Sequence, residues 1–134
     1  MNSSAIAQSD SNEKNRMEYL FHYVRGSFLA DTNRFEEAIE SYTIAIQIDP
    51  NNPKAYISRG NTYAYIGQNI NALKDLNKAI TLDPKNPKPY YNRGTIKSNS
   101  RNYNESIADF NKAIELDSKY IDAYNARGLD KIEI

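Results

Sequence analysis

Few side chains in this sequence belong to the types that carry acid–base, nucleophilic or metal chemistry. The 134 residues include one histidine, His22, and no cysteine, so the usual nitrogen and sulfur ligands of a transition metal are missing. No serine lies in a G-x-S-x-G turn, and no glycine-rich phosphate loop is present. The adjacent carboxylates Glu36 and Glu37 diverge around a helix and suit its positively polarised N-terminus. We therefore predict no catalytic, cofactor-binding or metal-binding residues and expect a protein that is not an enzyme.

Arginine recurs at a fixed spacing along the chain. Four arginines, each followed by glycine, stand 34 residues apart, namely Arg25, Arg59, Arg93 and Arg127. A regular basic ladder could follow nucleic-acid phosphates, but 17 Lys and Arg residues are balanced by 17 Asp and Glu residues. Asp75 and Asp109 each lie sixteen residues after an arginine of the series, Arg59 and Arg93. We therefore expect charge pairing inside the fold, with Arg25, which lacks such an acid, left free.

The same 34-residue period organises the hydrophobic pattern, which predicts helical hairpins. In the central unit, amphipathic helices over 54–65 and 69–82 flank Gly67, and the second ends at Asp83 and Pro84 because proline cannot donate the next helical hydrogen bond. Shifting this unit along the chain predicts the other helices over 18–30, 34–48, 88–99, 103–116 and 121–132. The first helix carries one broad apolar face, formed by Leu20, Phe21, Val24, Phe28 and Leu29.

A fixed order of aromatic, small and proline residues recurs in each unit. In the central unit these residues are Tyr56, Gly60, Tyr63, Ala72, Leu76, Ala79 and Pro84. The first unit has His22, Gly26, Leu29, Ala38, Tyr42, Ala45 and Pro50, and the third has Tyr90, Gly94, Lys97, Ser106, Phe110, Ala113 and Ser118. From residue 19 onward the chain therefore resembles the tetratricopeptide repeat (TPR) family. The resemblance implies an all-α, right-handed superhelical solenoid of antiparallel helix hairpins.

The resemblance also predicts how the chain is divided. A TPR-like domain over 18–134 would contain repeats 19–52, 53–86 and 87–120 and a capping helix 121–134. Residues 1–17 are rich in Ser, Asn and charge and are expected to form a disordered lead-in. They lack the basic start and apolar core of a secretory signal, and no run of about 18 apolar residues predicts a membrane span. We therefore expect a cytoplasmic protein.

Two sets of positions inside the hairpins are expected to serve packing. A glycine within a helix costs about 1 kcal/mol relative to alanine, so we expect the glycines to allow close approach of the paired helix. The expected contacts are Gly26 with Ala38, Gly60 with Ala72 and Gly94 with Ser106. The second set is aromatic, and His22 takes the place that tyrosine holds in the other units, at Tyr56, Tyr90 and Tyr124. We expect His22 to be an aromatic packing substitute and not a base or a ligand.

The resemblance implies that the first helices of the repeats line a concave groove for a peptide segment of a partner protein. The groove residues predicted in this way are Tyr23, Ser27, Ile57, Ser58, Asn61, Tyr65, Lys88, Tyr91, Asn92, Thr95 and Asn125. Asparagine both donates to and accepts from a peptide backbone, and tyrosine offers a large contact area. These residues could alternatively be ordinary solvent-exposed polar positions. The expected function is a peptide-binding adaptor, scaffold or co-chaperone-like module.

Some members of the family grip a C-terminal carboxylate with a clamp of Lys, Asn, Asn, Lys and Arg. Counted from the first unit, the matching positions hold Tyr23, Ser27, Ser58, Lys88 and Asn92. Counted from the second unit, they hold Ile57, Asn61, Asn92, Asp122 and Ala126. We therefore expect no such clamp. Two other functions stay open, a regulatory or targeting piece of a larger enzyme or assembly and, with less support, a nucleic-acid-binding helical repeat.

The last 14 residues begin a fourth unit without a second helix. We expect residues 121–132 to form an ordered helix on the helix over 103–116, as a cap that repeat stacks need at their ends. The charged pair Asp130 and Lys131 is expected to face water. The stripe expected to face the third hairpin consists of Ile121, Tyr124 and Ile132. A monomer follows from this cap, and the alternative is a dimer through Leu129, Ile132 and Ile134.

Overall fold

The computed structural model describes residues 2–134, and the regular secondary structure of this part of the chain is helical. The seven helices are α1 Ser3–Asp31, α2 Phe35–Ile48, α3 Pro53–Tyr65, α4 Asn69–Leu82, α5 Pro87–Asn99, α6 Tyr103–Leu116 and α7 Ile121–Glu133. Three hairpins form where α1 packs on α2, α3 on α4 and α5 on α6. The hairpins stack because α2 contacts α3, α4 contacts α5, and α6 contacts α7.

The sequence dictates where the helices begin and turn. The side chain of Asn52 accepts a hydrogen bond from the backbone N–H of Lys54 at 3.1 Å, and proline occupies the first position of α3, where a missing N–H costs little. α5 begins in the same way. Inside each hairpin the turn needs one residue with positive φ. These residues stand 34 apart and are Asn33 at 62°, Gly67 at 84° and Arg101 at 62°.

The beginning of α1 corrects the expected disordered lead-in. Residues 3–17 are helical and exposed, and they continue the helix that packs on α2. Asn2 caps this helix by accepting from the backbone N–H of Ala5 at 2.8 Å. No proline or glycine interrupts the helix before Gly26, and extending an existing helix costs far less than nucleating one. Met1 lies outside the described residues.

Only part of the expected apolar face of α1 reaches the core. Leu29 is 3 % exposed and packs with Ala38 and Tyr42, whereas the other four residues of that face are at least half exposed. Those four are Leu20, Phe21, Val24 and Phe28. They lie on the side of α1 that has no neighbouring hairpin. The reason is positional, because α3 and α5 have a preceding hairpin to cover the equivalent side and α1 has none.

Glycines allow the helices of each hairpin to approach closely, as expected, but the nearest residues at Gly26 and Gly94 differ from those predicted. A Cβ atom at Gly26 would lie 2.7 Å from the Tyr42 ring, and one at Gly94 would lie 2.7 Å from the Phe110 ring. At Gly60 it would lie 3.2 Å from the side chain of Leu76. The large residue one turn after the predicted small one fills the space. The expected contact of Ala72 with Gly60 is confirmed, through the Ala72 backbone oxygen at 3.3 Å, whereas at Gly26 and Gly94 the rings of Tyr42 and Phe110 lie nearest in place of Ala38 and Ser106.

The terminal helix α7 packs on α6 over the residues predicted, but by a different face. The inward residues include Ala123 and Asp130, which are 0 % and 4 % exposed. Asp130 accepts hydrogen bonds from the hydroxyls of Ser98, at 2.6 Å, and Ser106. The stripe expected to face inward is exposed instead, at Ile121, Tyr124 and Ile132. The prediction that Asp130 faces water was wrong, because its carboxylate finds two hydroxyl donors inside.

Candidate binding groove

Four of the eleven predicted groove residues line one cleft between α3 and α5. The cleft has a volume of about 170 Å³. Asn61 comes from α3, and Tyr91, Asn92 and Thr95 come from α5. The remaining lining residues are Ala64, Asn69, Ile96 and Asn99. The cleft thus presents four asparagines beside one tyrosine ring.

The side-chain amide of Asn92 is the unsatisfied group of this cleft. Its Nδ2 atom is shielded from water and has no hydrogen-bond partner within the protein. A buried donor without a partner costs about 1–3 kcal/mol. Rotation of the amide toward the open cleft would bring this N–H to the carbonyl oxygen of a ligand and recover that energy.

The ring of Tyr91 is held in place by two other aromatic rings. Its centroid lies 5.8 Å from that of Phe110 and 5.0 Å from that of Tyr120, both in tilted arrangements. Burial raises the pKa of the Tyr120 phenol to about 12, with a smaller contribution from the neighbouring Tyr91. The hydroxyl of Thr95 donates to the Tyr91 backbone carbonyl at 3.0 Å, which leaves its lone pairs as acceptors. The wall of the cleft is therefore rigid.

Three further predicted residues form a second cluster around Tyr42. Tyr23 lies with its ring centroid 6.0 Å from that of Tyr42, and the Tyr42 hydroxyl donates to Ser27 Oγ at 3.3 Å. Burial raises the pKa of Tyr42, and hydrogen bonds with Ser27 and Ser58 offset part of the rise. These polar groups therefore bond to one another inside the first hairpin and its junction with α3.

The other four predicted residues do not join either cluster. Ile57 is 6 % exposed and packs with Ala79, so it offers almost no surface to a ligand. Tyr65 is 74 % exposed, but its ring lies on Phe35 of α2, with centroids 4.8 Å apart, outside the cleft. The two remaining residues, Lys88 and Asn125, are exposed.

Sequence reasoning missed four residues of the cleft, and the repeat period could have indicated one of them. Asn99 stands 34 residues after Tyr65, so the position predicted in the second unit forms part of the cleft only in the third. Ala64 and Ile96 are partly or fully buried and carry no polar signal. Asn69 opens α4, a second helix, and the prediction considered first helices only.

The recurring arginines are used inside the stack. Arg59 donates to both carboxylate oxygens of Asp75 at 2.7 Å and to Thr43 of the preceding hairpin at 3.0 Å. Arg93 pairs in the same way with Asp109 and with Asn77, and Arg127 bonds Asn111. The hydrogen bonds to Asp75 and to Asp109 are the largest cause of the raised pKa values of Arg59 and Arg93, respectively. The predicted pairs are confirmed, and each guanidinium also ties two hairpins together.

His22 and Arg25 stand apart from this network. The Nδ1 atom of His22 is buried without a hydrogen-bond partner, and its ring lies edge-on to Phe21 at 5.1 Å. Arg25 is exposed and forms no ion pair with the residues described here. Within residues 2–134, no group of three acidic, histidine or cysteine side chains could hold a metal ion. None of the helices described has the length and apolarity of a membrane span.

Comparison with protein families decides the class of this chain. A family model described as "TPR repeat" matches residues 26–67 and 60–97, and one described as "Tetratricopeptide repeat" matches residues 87–120. Together these matches run from residue 26 to residue 120. The chain belongs to the TPR family. Its members are protein-interaction modules and not enzymes, which confirms the expectation drawn from the scarcity of catalytic residue types.

Individual relatives agree with this assignment. Tetratricopeptide repeat protein 36 of Caenorhabditis elegans is 39 % identical over 70 residues, which are 52 % of this chain and 39 % of that protein. The chain therefore spans well under half of that relative. Among solved structures, the Arabidopsis OM64 TPR domain superposes with a TM-score of 0.86 at 27 % identity, covering 90 % of this chain and 99 % of that one.

Two solved neighbours hold peptides. The second TPR domain of human RPAP3, in complex with the HSP70 peptide SGPTIEEVD, has a TM-score of 0.82 at 28 % identity and covers 87 % of this chain and 98 % of that chain. The first TPR domain of Spaghetti, bound to the HSP90 peptide SRMEEVD, has a TM-score of 0.84 at 24 % identity, covering 87 % and 93 %. These likenesses confirm the predicted all-α solenoid of helix hairpins.

Proposed function

We propose that this TPR chain is a co-chaperone-like adaptor that binds a peptide segment of a partner protein in the cleft between α3 and α5. The observation that carries the proposal is the Nδ2 atom of Asn92, buried without a partner beside Asn61, Tyr91 and Thr95. A peptide carbonyl is a suitable acceptor for this donor. The peptide complexes of the RPAP3 and Spaghetti domains support the same use of the fold.

The residues that line the cleft determine which part of a peptide is bound. Asparagine amides at Asn61, Asn92 and Asn99 can each donate to a backbone carbonyl and accept from a backbone N–H, as an extended strand requires. The ring of Tyr91 offers a large, rigid surface at little entropic cost. We therefore infer a ligand held mainly through its backbone, with apolar contact to one side chain.

The available positive charges distinguish the proposed cleft from a carboxylate clamp. The peptides of the two neighbours end in EEVD. Here the guanidinium groups of Arg59 and Arg93 are paired with aspartates, and Lys88 is the one clamp cation that the sequence retains. We therefore infer that the terminal carboxylate contributes little and that an acidic chaperone tail binds more weakly than a neutral extended segment.

The test is a titration of matched variants. Peptides are selected from a random display library against the wild-type chain, and the best binder is titrated by calorimetry. Asn92→Ala and Tyr91→Ala should each weaken binding at least about tenfold, because each removes a central contact. Asn104→Ala, an exposed asparagine on α6, should change it less than about twofold. Equal affinity for wild type and both cleft variants would place the ligand elsewhere.

A regulatory or targeting role within a larger assembly is the second candidate. The observation that favours it is the short span of the match to the C. elegans relative, 39 % of that protein. Residues 18–134 would then be one TPR-like unit of that assembly, with repeats 19–52, 53–86 and 87–120 and the cap 121–134. Nucleic-acid binding has less support, since three of the four recurring arginines bond within the stack. The cytoplasmic location stays a proposal, which imaging of a tagged chain tests.

A further inference from the structure

The outer side of α1 carries a continuous apolar surface, here called the α1 stripe. Its members lie three or four residues apart, and all are at least half exposed. They are Met17 at 64 %, Leu20 at 50 %, Phe21 at 64 %, Val24 at 54 % and Phe28 at 62 % exposure. Together with Arg25 they border one open groove of the surface. Isolated exposed apolar residues need no explanation, but five on one helix face do.

The α1 stripe is large enough to be half of an interface. A large aromatic side chain buries roughly 150–250 Å², so the five residues at these exposures present on the order of 500 Å² per molecule. Two such surfaces, with a polar rim, approach the roughly 1,200 Å² at the lower end of specific interfaces. Monomeric proteins rarely leave a larger apolar patch open.

Another repeat stacked in the usual way does not fit the α1 stripe. Phe21 stands where the later first helices have a small or compact residue that is fully buried against the preceding hairpin. Those equivalents are Ala55, Pro89 and Ala123. A phenylalanine at this position would hold a preceding hairpin away from α1. The stripe therefore differs from an ordinary junction between repeats.

No other segment of residues 2–134 reaches the α1 stripe. Residues 3–16 continue the same helix in line and cannot fold back on it. α2 and α3 pack on the opposite side of α1, and α7 contacts only α5 and α6 at the other end of the stack. Within residues 2–134 the α1 stripe therefore has no intramolecular partner.

We propose that the α1 stripe pairs with the α1 stripe of a second copy of this chain, the two helices running antiparallel about a two-fold axis. The pattern 17, 20/21, 24 and 28 follows the spacing of a coiled-coil seam. Centring the axis between Phe21 and Val24 sets Met17 opposite Phe28 of the second copy and Phe21 opposite its Val24. Met17, Phe21, Val24 and Phe28 then each meet an apolar residue of the second copy, while Leu20 borders the seam on the edge opposite Arg25.

Charges at the edge of the α1 stripe match this register. Arg25 and Glu18 lie on the same edge, seven residues apart, and both are exposed. In the antiparallel pair, Arg25 lies opposite position 20 of the second copy. Glu18 of that copy is two residues away, which is about 3 Å along the helix axis at a rise of about 1.5 Å per residue. Two symmetric Arg25–Glu18 pairs result. They use Arg25, which forms no ion pair at contact distance among the residues described and acts on Glu37 of α2 only from farther away.

The test is sedimentation velocity at concentrations of about 1 to 200 µM. The wild type should convert from monomer to dimer within or below this range. Phe21→Glu, at an exposed position, should raise the dissociation constant at least about thirtyfold, as loss of a central contact does. Ile132→Ser with Ile134→Ser, at the opposite end of the molecule, is the matched control and should leave the constant unchanged. Circular dichroism should show the same helicity for all variants.

A charge exchange keeps the test independent of the packing variant. Glu18→Arg and Arg25→Glu should each weaken the dimer, and the double variant should recover at least part of the loss. A wild type that stays monomeric at 200 µM overturns the proposal. So does a dimer that persists in Phe21→Glu or that dissociates in Ile132→Ser with Ile134→Ser, because the second result would place the interface on α7. If the wild type stays monomeric at 200 µM, the monomer expected from the sequence is correct.

Discussion

At the residue scale, the adjacent arginine and glycine of the second and third repeats, Arg59–Gly60 and Arg93–Gly94, perform opposite tasks. Glycine removes a side chain so that a ring or leucine of the paired helix can touch the backbone, as Phe110 does at Gly94. The preceding arginine points to the other helix and bonds both its own hairpin and the one before it, as Arg93 does with Asp109 and Asn77. The dipeptide therefore fixes spacing within a hairpin and register between hairpins.

Gly94 and Gly128 make a matched pair for testing the packing role. A Cβ at Gly94 would lie 2.7 Å from the fully buried Phe110 ring, whereas nothing lies within 4 Å of one at Gly128. Gly94→Ala should lower the free energy of unfolding by about 1–3 kcal/mol through overpacking. Gly128→Ala should raise it by up to about 1 kcal/mol, because alanine favours a helix. Denaturant unfolding measures both, and stabilisation by Gly94→Ala would refute the close-packing explanation.

At the element scale, the helices at the two ends of the stack differ at the repeat position that faces the preceding hairpin. α7 places a carboxylate at Asp130, where the third unit has Ile96, and satisfies it with the hydroxyls of Ser98 and Ser106. α1 places Phe28 at the same repeat position and leaves it exposed. α7 is therefore joined to the third hairpin by a polar contact, whereas Phe28 has no preceding hairpin to contact, and both end helices keep exposed apolar residues, on α7 at Ile121, Leu129 and Ile132.

The contact of Asp130 predicts how firmly α7 is held. Asp130→Ala should remove the charged acceptor of the partly buried Ser98 hydroxyl and one of the two acceptors of the buried Ser106 hydroxyl, which also reaches the Tyr103 carbonyl, and cost about 1–3 kcal/mol. The adjacent Lys131→Ala, at an exposed position, is the control and should cost under about 0.5 kcal/mol. Hydrogen exchange should show faster opening of α7 in Asp130→Ala and unchanged protection of α3 and α4, since each unit of a repeat stack contacts only its neighbours. Uniform loss of protection along the chain would argue against a local role.

At the scale of the whole molecule, the 34-residue period predicted the helices and the recurring ion pairs correctly. It failed to predict which residues are buried at the ends of the stack, because burial there depends on which neighbouring hairpin is present. The helices from 34 to 132 and the pair of Arg59 with Asp75 repeat identically, so the sequence indicates them. The burial of Asp130 and the exposure of Phe28 depend on the ends of the stack, where the period gives the wrong neighbour. The cleft at Asn92 was only partly predicted, because it forms between two repeats and includes a residue of α4.

Tyrosines near both ends of the stack make the whole molecule sensitive to alkali. Burial raises the pKa of Tyr19 and of Tyr120 to about 12 each, against an ordinary value near 10. Below about pH 10 both phenols are neutral in the folded and the unfolded chain. Between about pH 10 and 12 the unfolded chain loses these protons and the folded chain keeps them, so stability falls as the pH rises, by roughly 1 kcal/mol per tyrosine after solvent screening of these partly buried groups.

Tyr120→Phe isolates one half of this effect, because the variant keeps the ring that packs on Tyr91 and removes the ionisable group. Its free energy of unfolding should fall less steeply between pH 9.5 and 11.5 than that of the wild type, as followed by urea unfolding at each pH. Tyr65→Phe changes a ring that is 74 % exposed and should reproduce the wild-type slope. If Tyr120→Phe also reproduced it, the phenol of Tyr120 would have to ionise equally in both states, and its burial between α5 and α7 would not govern the alkaline stability of the stack.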